Sequence, residues 1–310
     1  MAVAEFRGRA MACELQVIAV DPVAGQLDRI AAHIGRLEAL WSRFVPTSDI
    51  SRINASPGYP VAVAPETVGL VEKMLEAWRL TEGRFDPTVL PALMAIGYDV
   101  SRSDPGHRTV LAAGEYRLGA MGEVTVDRQY GTVRVPTGVA IDPGGIGKGL
   151  AADLGVAAAL ADGAAGCLIG IGGDLAMGGT APDPSGWLIR VEQADPEDGV
   201  LCTLAVSNGG VATSSTRSRR WMQRGESRHH LIDPGSGEPS PTDLAAVTVF
   251  AASGWQAEAF ATGAMLGGGD EVVGYLRRND LTGVAISESG AVLASDDLAA
   301  VEFTLPVGVR

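Results

Sequence analysis

The sequence is poor in cysteine, in long apolar runs and in positive charge, and each shortage excludes a class of protein. Cys13, Cys167 and Cys202 are widely separated, so neither a disulfide framework nor a clustered thiolate zinc site is expected. No stretch approaches the roughly 18 apolar residues of a membrane span. The formal net charge of −13 argues against unassisted binding to nucleic acid or anionic lipid, which carry the same sign.

The remaining composition is that of a globular protein. The 310 residues are 46% hydrophobic and 20% charged, which provides about two domains' worth of core or one larger unit. We predict a single catalytic unit over residues 1–310, with possible lobes at about 1–135 and 136–310. The charged segment Met1–Arg9 does not read as a secretory signal, so we expect a cytoplasmic protein without a stable membrane anchor.

Apolar periodicity predicts interleaved strands and helices. Alternation in 14–20 predicts a strand, and apolar residues three and four apart in 27–44 and 65–83 predict helices. Further predictions are loops at 46–54 and 213–217, a hairpin at 124–135, helices at 150–160, 255–266 and 271–278, strands at 167–171, 188–191 and 201–206, and a final hairpin at 284–293. The interleaving lacks strict βαβ regularity, which favours a layered α+β fold over a doubly wound sheet.

Glu258 and Thr262 are the most informative pair in the sequence. They lie four residues apart in an Ala-rich segment that reads as a helix, so their side chains share one face. A carboxylate and a hydroxyl stacked in this way can direct oxygen at one hard cation, Mg²⁺ or Ca²⁺. The alternative is local: the acid complements the helix dipole and the threonine bonds back to its own turn.

Two glycine-rich turns follow predicted strands. The first, Asp142–Gly149, can present backbone N–H groups and a helix N-terminus to an anion. It is not a P-loop, which needs Gly in place of Asp142 and Ser or Thr in place of Gly149. The second turn ends in Asp174, which either binds a ligand or holds the turn. Both sets of glycines are also explained by tight turns alone.

Two adjacent histidines follow the predicted Thr/Ser/Arg loop. His229 and His230 project to opposite faces of an extended strand, so they are not expected to bind one metal together. A histidine beside carboxylate and hydroxyl groups is suited to act as a general base toward an alcohol.

Six ordered motifs resemble the ApbE family, the FAD:protein FMN transferases. Asp142–Gly149 is similar to the family's Asp-Leu-Gly-Gly-Ile-Ala-Lys-Gly, and Ala257–Thr262 is similar to its Ala-Asp-Ala-Leu-Ala-Thr. The other four are Ser48–Asn54 (Ser-x-Ile-Ser-x-x-Asn), Gly83–Thr88 (Gly-x-Phe-Asp-Pro-Thr), Ile171–Asp174 (Ile-Gly-Gly-Asp) and His230–Gly237 (His-Ile-Ile-Asp-Pro-x-Thr-Gly). The resemblance covers nearly the whole chain and implies an ApbE-like layered α+β fold with mixed sheets and flanking helices.

The resemblance also implies an activity and a site. It implies a Mg²⁺-dependent enzyme that splits FAD, passes FMN to a Thr or Ser hydroxyl of an acceptor flavoprotein and releases AMP. The implied residues are Gly147 (through its carbonyl), Glu258 and Thr262 for the metal; His230 as base, with Asp233 orienting nearby groups; Gly144, Gly145 and Lys148 for the phosphates; and Ser48, Asn54, Asp86, Thr88, Asp174 and Thr213 for the rest of the FAD pocket.

Departures from the family pattern leave two other functions open. Glu258 replaces the family's metal-binding Asp, Gly147 replaces an Ala, and Ser215 and Ser236 replace a Gly and a Thr. The alternatives are an FAD pyrophosphate hydrolase that yields FMN and AMP, and a non-catalytic FAD-binding protein.

Overall fold

The computed structural model describes residues 1–101, 104–223, 225–298 and 301. The helices in these residues are α1 (Gln26–Trp41), α2 (Asp49–Asn54), α3 (Pro65–Leu80), α4 (Leu90–Ala95), α5 (Gly147–Ala161), α6 (Gly254–Gly267) and α7 (Gly269–Arg278). The strands are β1 (Val3–Ala10), β2 (Cys13–Val20), β3 (Val61–Ala62), β4 (Thr125–Asp127), β5 (Thr132–Arg134), β6 (Gly166–Ile171), β7 (Asp174–Gly179), β8 (Trp187–Glu192), β9 (Val200–Val206), β10 (Gly209–Ser215), β11 (Arg220–Gln223), β12 (Glu226–His229), β13 (Leu244–Ala251), β14 (Thr282–Ser287) and β15 (Val292–Ala294).

An eight-stranded sheet organises the chain, in the order β1-β2-β6-β7-β10-β13-β14-β15. The predicted α+β class is confirmed. Mixed sheets were expected, whereas every strand pair of the described residues is antiparallel. Short connections explain this pairing: β1–β2, β6–β7 and β14–β15 are hairpins, and a parallel neighbour would need a longer crossover.

The sheet lies between helices on one face and a hairpin on the other. α5 packs on β6 and β7, while α6 packs on β10 and β13, and the largest apolar cluster fills this helical side. The β8–β9 hairpin covers the opposite face, where Trp187 and Ile189 pack against Leu168 and Met177. Strands covered on both faces are apolar throughout, as in β6, all of whose residues are buried.

The N-terminal turns of α5 and α6 approach each other unusually closely. A Cβ atom on Gly149 would lie 2.2 Å from the carbonyl oxygen of Gly254, so only glycine fits. Each helix also provides a carboxylate for the other's free N–H groups. Glu258 Oε2 accepts from Gly149 N at 2.8 Å, and Asp153 accepts from Gly254 N and Trp255 N at 2.7 and 2.9 Å. This reciprocal capping fixes the relative position of the two helix N-termini.

Two segments predicted as loops are regular structure. Residues 49–54 form α2, whose first turn is capped by the Ser48 hydroxyl. Residues 213–215 belong to β10, because pairing with β13 outweighs the turn preference of Thr and Ser. The reverse holds before α5: the segment from Val139 to Ile141 is not a strand.

The remaining predicted elements are confirmed with small shifts at their ends, while α4, β1, β3, β7, β11 and β13 were not predicted. The main sheet contains strands from both predicted lobes, since β2 pairs with β6; the number of structural units stays a prediction. Among the described residues, no helix combines the length and apolar character needed to cross a membrane.

The cap provided by Asp153 predicts a pH-dependent stability. Burial raises the pKa of Asp153 from 3.8 to about 6, so the folded state binds a proton more tightly than the unfolded state. Its contribution to stability is therefore complete below pH 3.8 and decreases as the pH rises to about 6. We expect the stability advantage of the wild type over Asp153→Asn to fall by up to about 3 kcal/mol across this window.

Urea unfolding of both proteins at several pH values measures this difference. If the difference in unfolding free energy between wild type and Asp153→Asn stays constant or grows as the pH rises through this window, the raised pKa of Asp153 is contradicted.

Candidate active site

Charged side chains converge where α5 and α6 meet. Lys148 Nζ contacts the carboxylate of Asp174 and lies 2.7 Å from Glu258 Oε1. Asp174 and Glu258 are only 3% and 4% exposed, whereas Lys148 is half-buried. The fold thus brings together three predicted site residues from three separate motifs, and it already holds one cation against the two buried carboxylates.

Thr262 lies one helical turn beyond Glu258. Its hydroxyl donates to the Glu258 carbonyl oxygen at 3.2 Å and lies 3.3 Å from Ser214 Oγ. The local bonding considered from the sequence is therefore present. A hydroxyl that donates its proton in this way keeps its oxygen lone pairs for another partner.

Gly145 brings the glycine-rich loop against Thr262. Its φ of 84° lies in the left-handed region, and a Cβ atom would lie 3.0 Å from the Phe85 ring and 3.3 Å from Thr262 Oγ1. The neighbouring Gly144 N–H donates to Asp142 Oδ1 at 2.9 Å, and Gly147 begins α5. The predicted phosphate loop and the predicted metal ligands are therefore adjacent.

A second buried ion pair holds the start of this loop. Arg43, 4% exposed, places Nε 3.0 Å from Asp142 Oδ2 and donates through its other nitrogens to Thr109 Oγ1 and the Tyr98 carbonyl. Its guanidinium also packs over the rings of Phe44 and Tyr98. Sequence reasoning missed Arg43, because a single arginine after an amphipathic helix normally faces solvent.

Asn54 and Ser48 support the backbone. The Asn54 amide donates to the Ile141 carbonyl at 2.8 Å and accepts from Ile141 N at 2.9 Å. These are the two backbone hydrogen bonds that a neighbouring strand would otherwise make with Ile141. Ser48 Oγ accepts from Ser51 N at 3.0 Å and caps α2. Both side chains are buried and positioned by these bonds.

Asp86 and Thr88 lie beneath the same loop. Thr88 donates to Asp86 Oδ1 from both its backbone nitrogen and its hydroxyl, at 2.8 and 2.7 Å. Burial raises the pKa of Asp86, and the Thr88 hydrogen bonds oppose that shift. The Pro87 carbonyl between them accepts from Asp142 N at 2.9 Å, so this motif also positions Asp142.

Ser214 approaches the cluster, whereas Thr213 does not contact it. Successive residues of β10 face opposite sides of the sheet. Thr213 is exposed and bonds to Thr248 Oγ1 at 2.8 Å, while Ser214 faces Thr262 on α6. Strand alternation would have identified Ser214 had this stretch been predicted as a strand.

The two histidines have different surroundings. His229 uses both ring nitrogens locally: Nε2 lies 3.2 Å from the Ser240 carbonyl, and Nδ1 accepts from Leu231 N at 3.3 Å. His230 is half-buried, and its Nδ1 has no hydrogen-bond partner among the described residues.

The environment of His230 keeps it neutral. Burial lowers its pKa to about 3, and the positive charges of Arg219 and Lys148 add to the shift. The ring is therefore uncharged near neutral pH, and a pKa this low makes it a weak proton acceptor unless a bound anion raises it. The charge of Lys148 acts on His230, although the two motifs are distant in sequence.

Asp233 forms a turn after His230. Its Oδ1 accepts from Gly235 N at 2.7 Å, and its backbone bonds to Gly237 and Glu238. These contacts stabilise the segment that carries His230. The catalytic and binding roles of all the predicted site residues stay predictions.

Solved structures identify the class of protein that this fold represents. The ApbE protein of Thermotoga maritima matches with a TM-score of 0.84 and 26% identity, over 97% of this chain and 99% of that one. The flavinyl transferase ApbE of Pseudomonas stutzeri matches with a TM-score of 0.81 and 24% identity, over 97% and 96%.

The sequence comparisons give the family. The ApbE family matches residues 11–286, and the chain belongs to this family. The FAD:protein FMN transferase of Klebsiella pneumoniae (strain 342) is 26% identical over 285 residues, which cover 89% of this chain and 81% of that protein. The resemblance seen in the sequence motifs is confirmed.

The buried cluster predicts that the two lysines of the sequence differ in importance. Lys148→Met would leave Asp174 and Glu258 without their shared cation, which we expect to cost about 3 kcal/mol of unfolding free energy. Lys73 pairs with Glu76 and lies 4.5 Å from the centre of the Trp255 ring, with 36% of its side chain exposed, so Lys73→Met should cost only about 1 kcal/mol. Urea unfolding at neutral pH compares the two variants. Equal losses of unfolding free energy in the two variants would show that the Lys148 contacts stabilise the fold no more than the Lys73 contacts do.

Proposed function

We propose that this protein is an FAD:protein FMN transferase, which passes FMN from FAD to a Thr or Ser hydroxyl of an acceptor flavoprotein. Membership of the ApbE family supports this proposal. The observation that carries it is the cluster of Lys148, Asp174, Glu258 and Thr262 beside a glycine-rich loop. In a chain of charge −13, a pyrophosphate needs local positive charge. Lys148 supplies one positive charge, and the oxygen atoms of the cluster could bind a metal ion that supplies more.

Mg²⁺ is the proposed metal of this site. Glu258, Thr262 and the Gly147 carbonyl would hold the ion, and the donated Thr262 proton leaves hydroxyl lone pairs for it. No three acidic, histidine or cysteine side chains of the described residues form a metal cage. Mg²⁺ usually keeps several waters and is shared with substrate phosphates, so the proposed site would need only a few protein ligands. When bound, the ion supplies charge neutralisation for an in-line displacement at phosphorus.

His230 is the proposed base. The acceptor oxygen forms a bond to the FMN phosphorus while the bond from that phosphorus to the AMP oxygen breaks, and the hydroxyl proton moves to His230 Nδ1. Lys148 and the loop through Gly144 and Gly145 would hold the phosphates. The reaction needs no oxidant or further reactant.

Incubation with FAD tests the function. Purified protein, FAD and Mg²⁺ are mixed with proteins extracted from the native cells, and the proteins are analysed by intact mass. We expect one acceptor to gain the mass of an FMN group, with AMP released, and EDTA to abolish both signals because the phosphates lose their counter-ion.

Two outcomes of this experiment would replace the proposal. Free FMN and AMP without a modified protein would establish a hydrolase, in which water takes the place of the acceptor hydroxyl. FAD that is bound but recovered intact would establish a non-catalytic flavin-binding protein. A cytoplasmic location stays a prediction, which cell fractionation tests.

The histidine pair predicts unequal mutational effects. His230→Ala should reduce FMN transfer by roughly a hundredfold or more, because the base is lost, while FAD still binds. His229→Ala is the matched control, since its ring nitrogens contact only the Ser240 and Leu231 backbone in the bonds described above. It should affect stability more than transfer. Equal loss of transfer in both variants, or loss of FAD binding in His230→Ala, contradicts the base assignment.

A further inference from the structure

The β11–β12 hairpin determines which of its arginines faces the site. Arg220 pairs with His229 and Trp221 with Arg228. Continuing this register by one residue places Arg219 opposite His230, and a hydrogen bond between His230 and the Arg219 backbone supports that placement. Directly opposed side chains in an antiparallel pair share one face, and successive residues alternate between faces. Arg219 therefore shares a face with His230, and Arg220 lies on the other.

Contacts identify the two faces. Trp221, on the Arg219 face, donates from Nε1 to the Ile96 carbonyl at 2.8 Å and packs 5.5 Å from the Tyr98 ring. The Tyr98 carbonyl is in turn bonded to Arg43, the ion-pair partner of Asp142. This face is directed at the site.

The other face is directed away from the site. Arg220 lies 3.8 Å from Glu288, and His229 bonds to the Ser240 carbonyl. Arg220 is exposed, with 47% of its side-chain surface accessible.

Arg219 is half-buried among the charges of the site. Its electrostatic neighbours include Tyr98, Glu258 and Asp142, and its own charge acts on His230. Among the described residues no carboxylate lies within 4.0 Å of it, whereas Glu258 and Asp142 are paired with Lys148 and Arg43. Arg219 thus brings a positive charge to the site without a direct ion pair of its own. Buried charges are normally paired.

We propose that Arg219 binds the phosphate of FAD that is attacked by the acceptor hydroxyl. This inference rests on the proposed function. A guanidinium can donate two parallel hydrogen bonds to a phosphate, and its charge becomes more valuable as charge develops on the equatorial oxygens during displacement. Lys148, on the α5 side of the cluster, is left to hold the other phosphate and the carboxylates. Arg219 and His230 then act on the same phosphorus centre.

Three variants test the contact. Arg219→Gln removes the charge, Arg219→Lys retains it without the planar donor pair, and Arg220→Gln is the matched control on the opposite face. Affinities for FAD and for riboflavin, which has no phosphate, are measured by flavin fluorescence, and kcat and KM are measured for FMN transfer.

We expect Arg219→Gln to weaken FAD binding by about tenfold and kcat/KM by about a hundredfold, with riboflavin affinity unchanged. Arg219→Lys should recover part of both losses, and Arg220→Gln should stay within about twofold of the wild type. Nuclear magnetic resonance should also show that the pKa of His230 rises in Arg219→Gln, since a neighbouring positive charge is lost.

The outcomes separate this inference from the proposed function. Equal weakening of FAD and riboflavin binding would assign Arg219 a purely structural role and overturn the inference. Equal effects at Arg219 and Arg220 would also overturn it, in favour of a general basic surface. A wild-type protein that binds FAD without cleaving it overturns only the proposed function. In that case, the FAD-to-riboflavin affinity ratio in Arg219→Gln still decides whether the phosphate contact exists.

Discussion

The close contact between the N-termini of α5 and α6 is the constraint on which the site depends. Only a glycine fits at position 149 against the Gly254 carbonyl, and this proximity lets each helix cap the other through Glu258 and Asp153. Two helix N-termini of the same polarity would otherwise repel each other through their partial positive charges. The carboxylates offset that repulsion.

The length of the Glu258 side chain suits this geometry. One carboxylate oxygen reaches across to Gly149 N while the other meets Lys148, and the backbone carbonyl of the same residue accepts from Thr262. Glu258 therefore caps α5, contacts the Lys148 ammonium and accepts a hydrogen bond from Thr262, a proposed metal ligand.

Apolar periodicity correctly predicted helices and strands that bury one face. It did not predict segments whose structure depends on pairing with residues distant in sequence. The helix α1 follows from its apolar spacing, and Glu258 and Thr262 share a helix face as expected. The end of β10 was predicted as a loop because strand pairing with β13 cannot be read from Thr and Ser.

Local sequence patterns could not identify the arginines of the site. Arg43 and Arg219 are isolated charges, and an isolated arginine is normally a surface residue. Only the fold shows that Arg43 pairs with Asp142 and that Arg219 lies opposite His230. By contrast, the glycine-rich turn and the Glu258–Thr262 pair have a local mechanism, so their chemistry could be predicted before their positions were known.

The electrostatics of the site link substrate binding to the proposed base. The pKa of His230 is lowered to about 3 by burial first and by the charges of Arg219 and Lys148 second. A bound pyrophosphate would offset both positive charges, and the pKa of the imidazole would rise toward its usual range because part of the depression is removed. The contribution of burial, which is the larger cause, would remain, so the rise would be partial. If Arg219 and Lys148 bind the phosphates as proposed, substrate binding and the basicity of His230 would be coupled through these two charges.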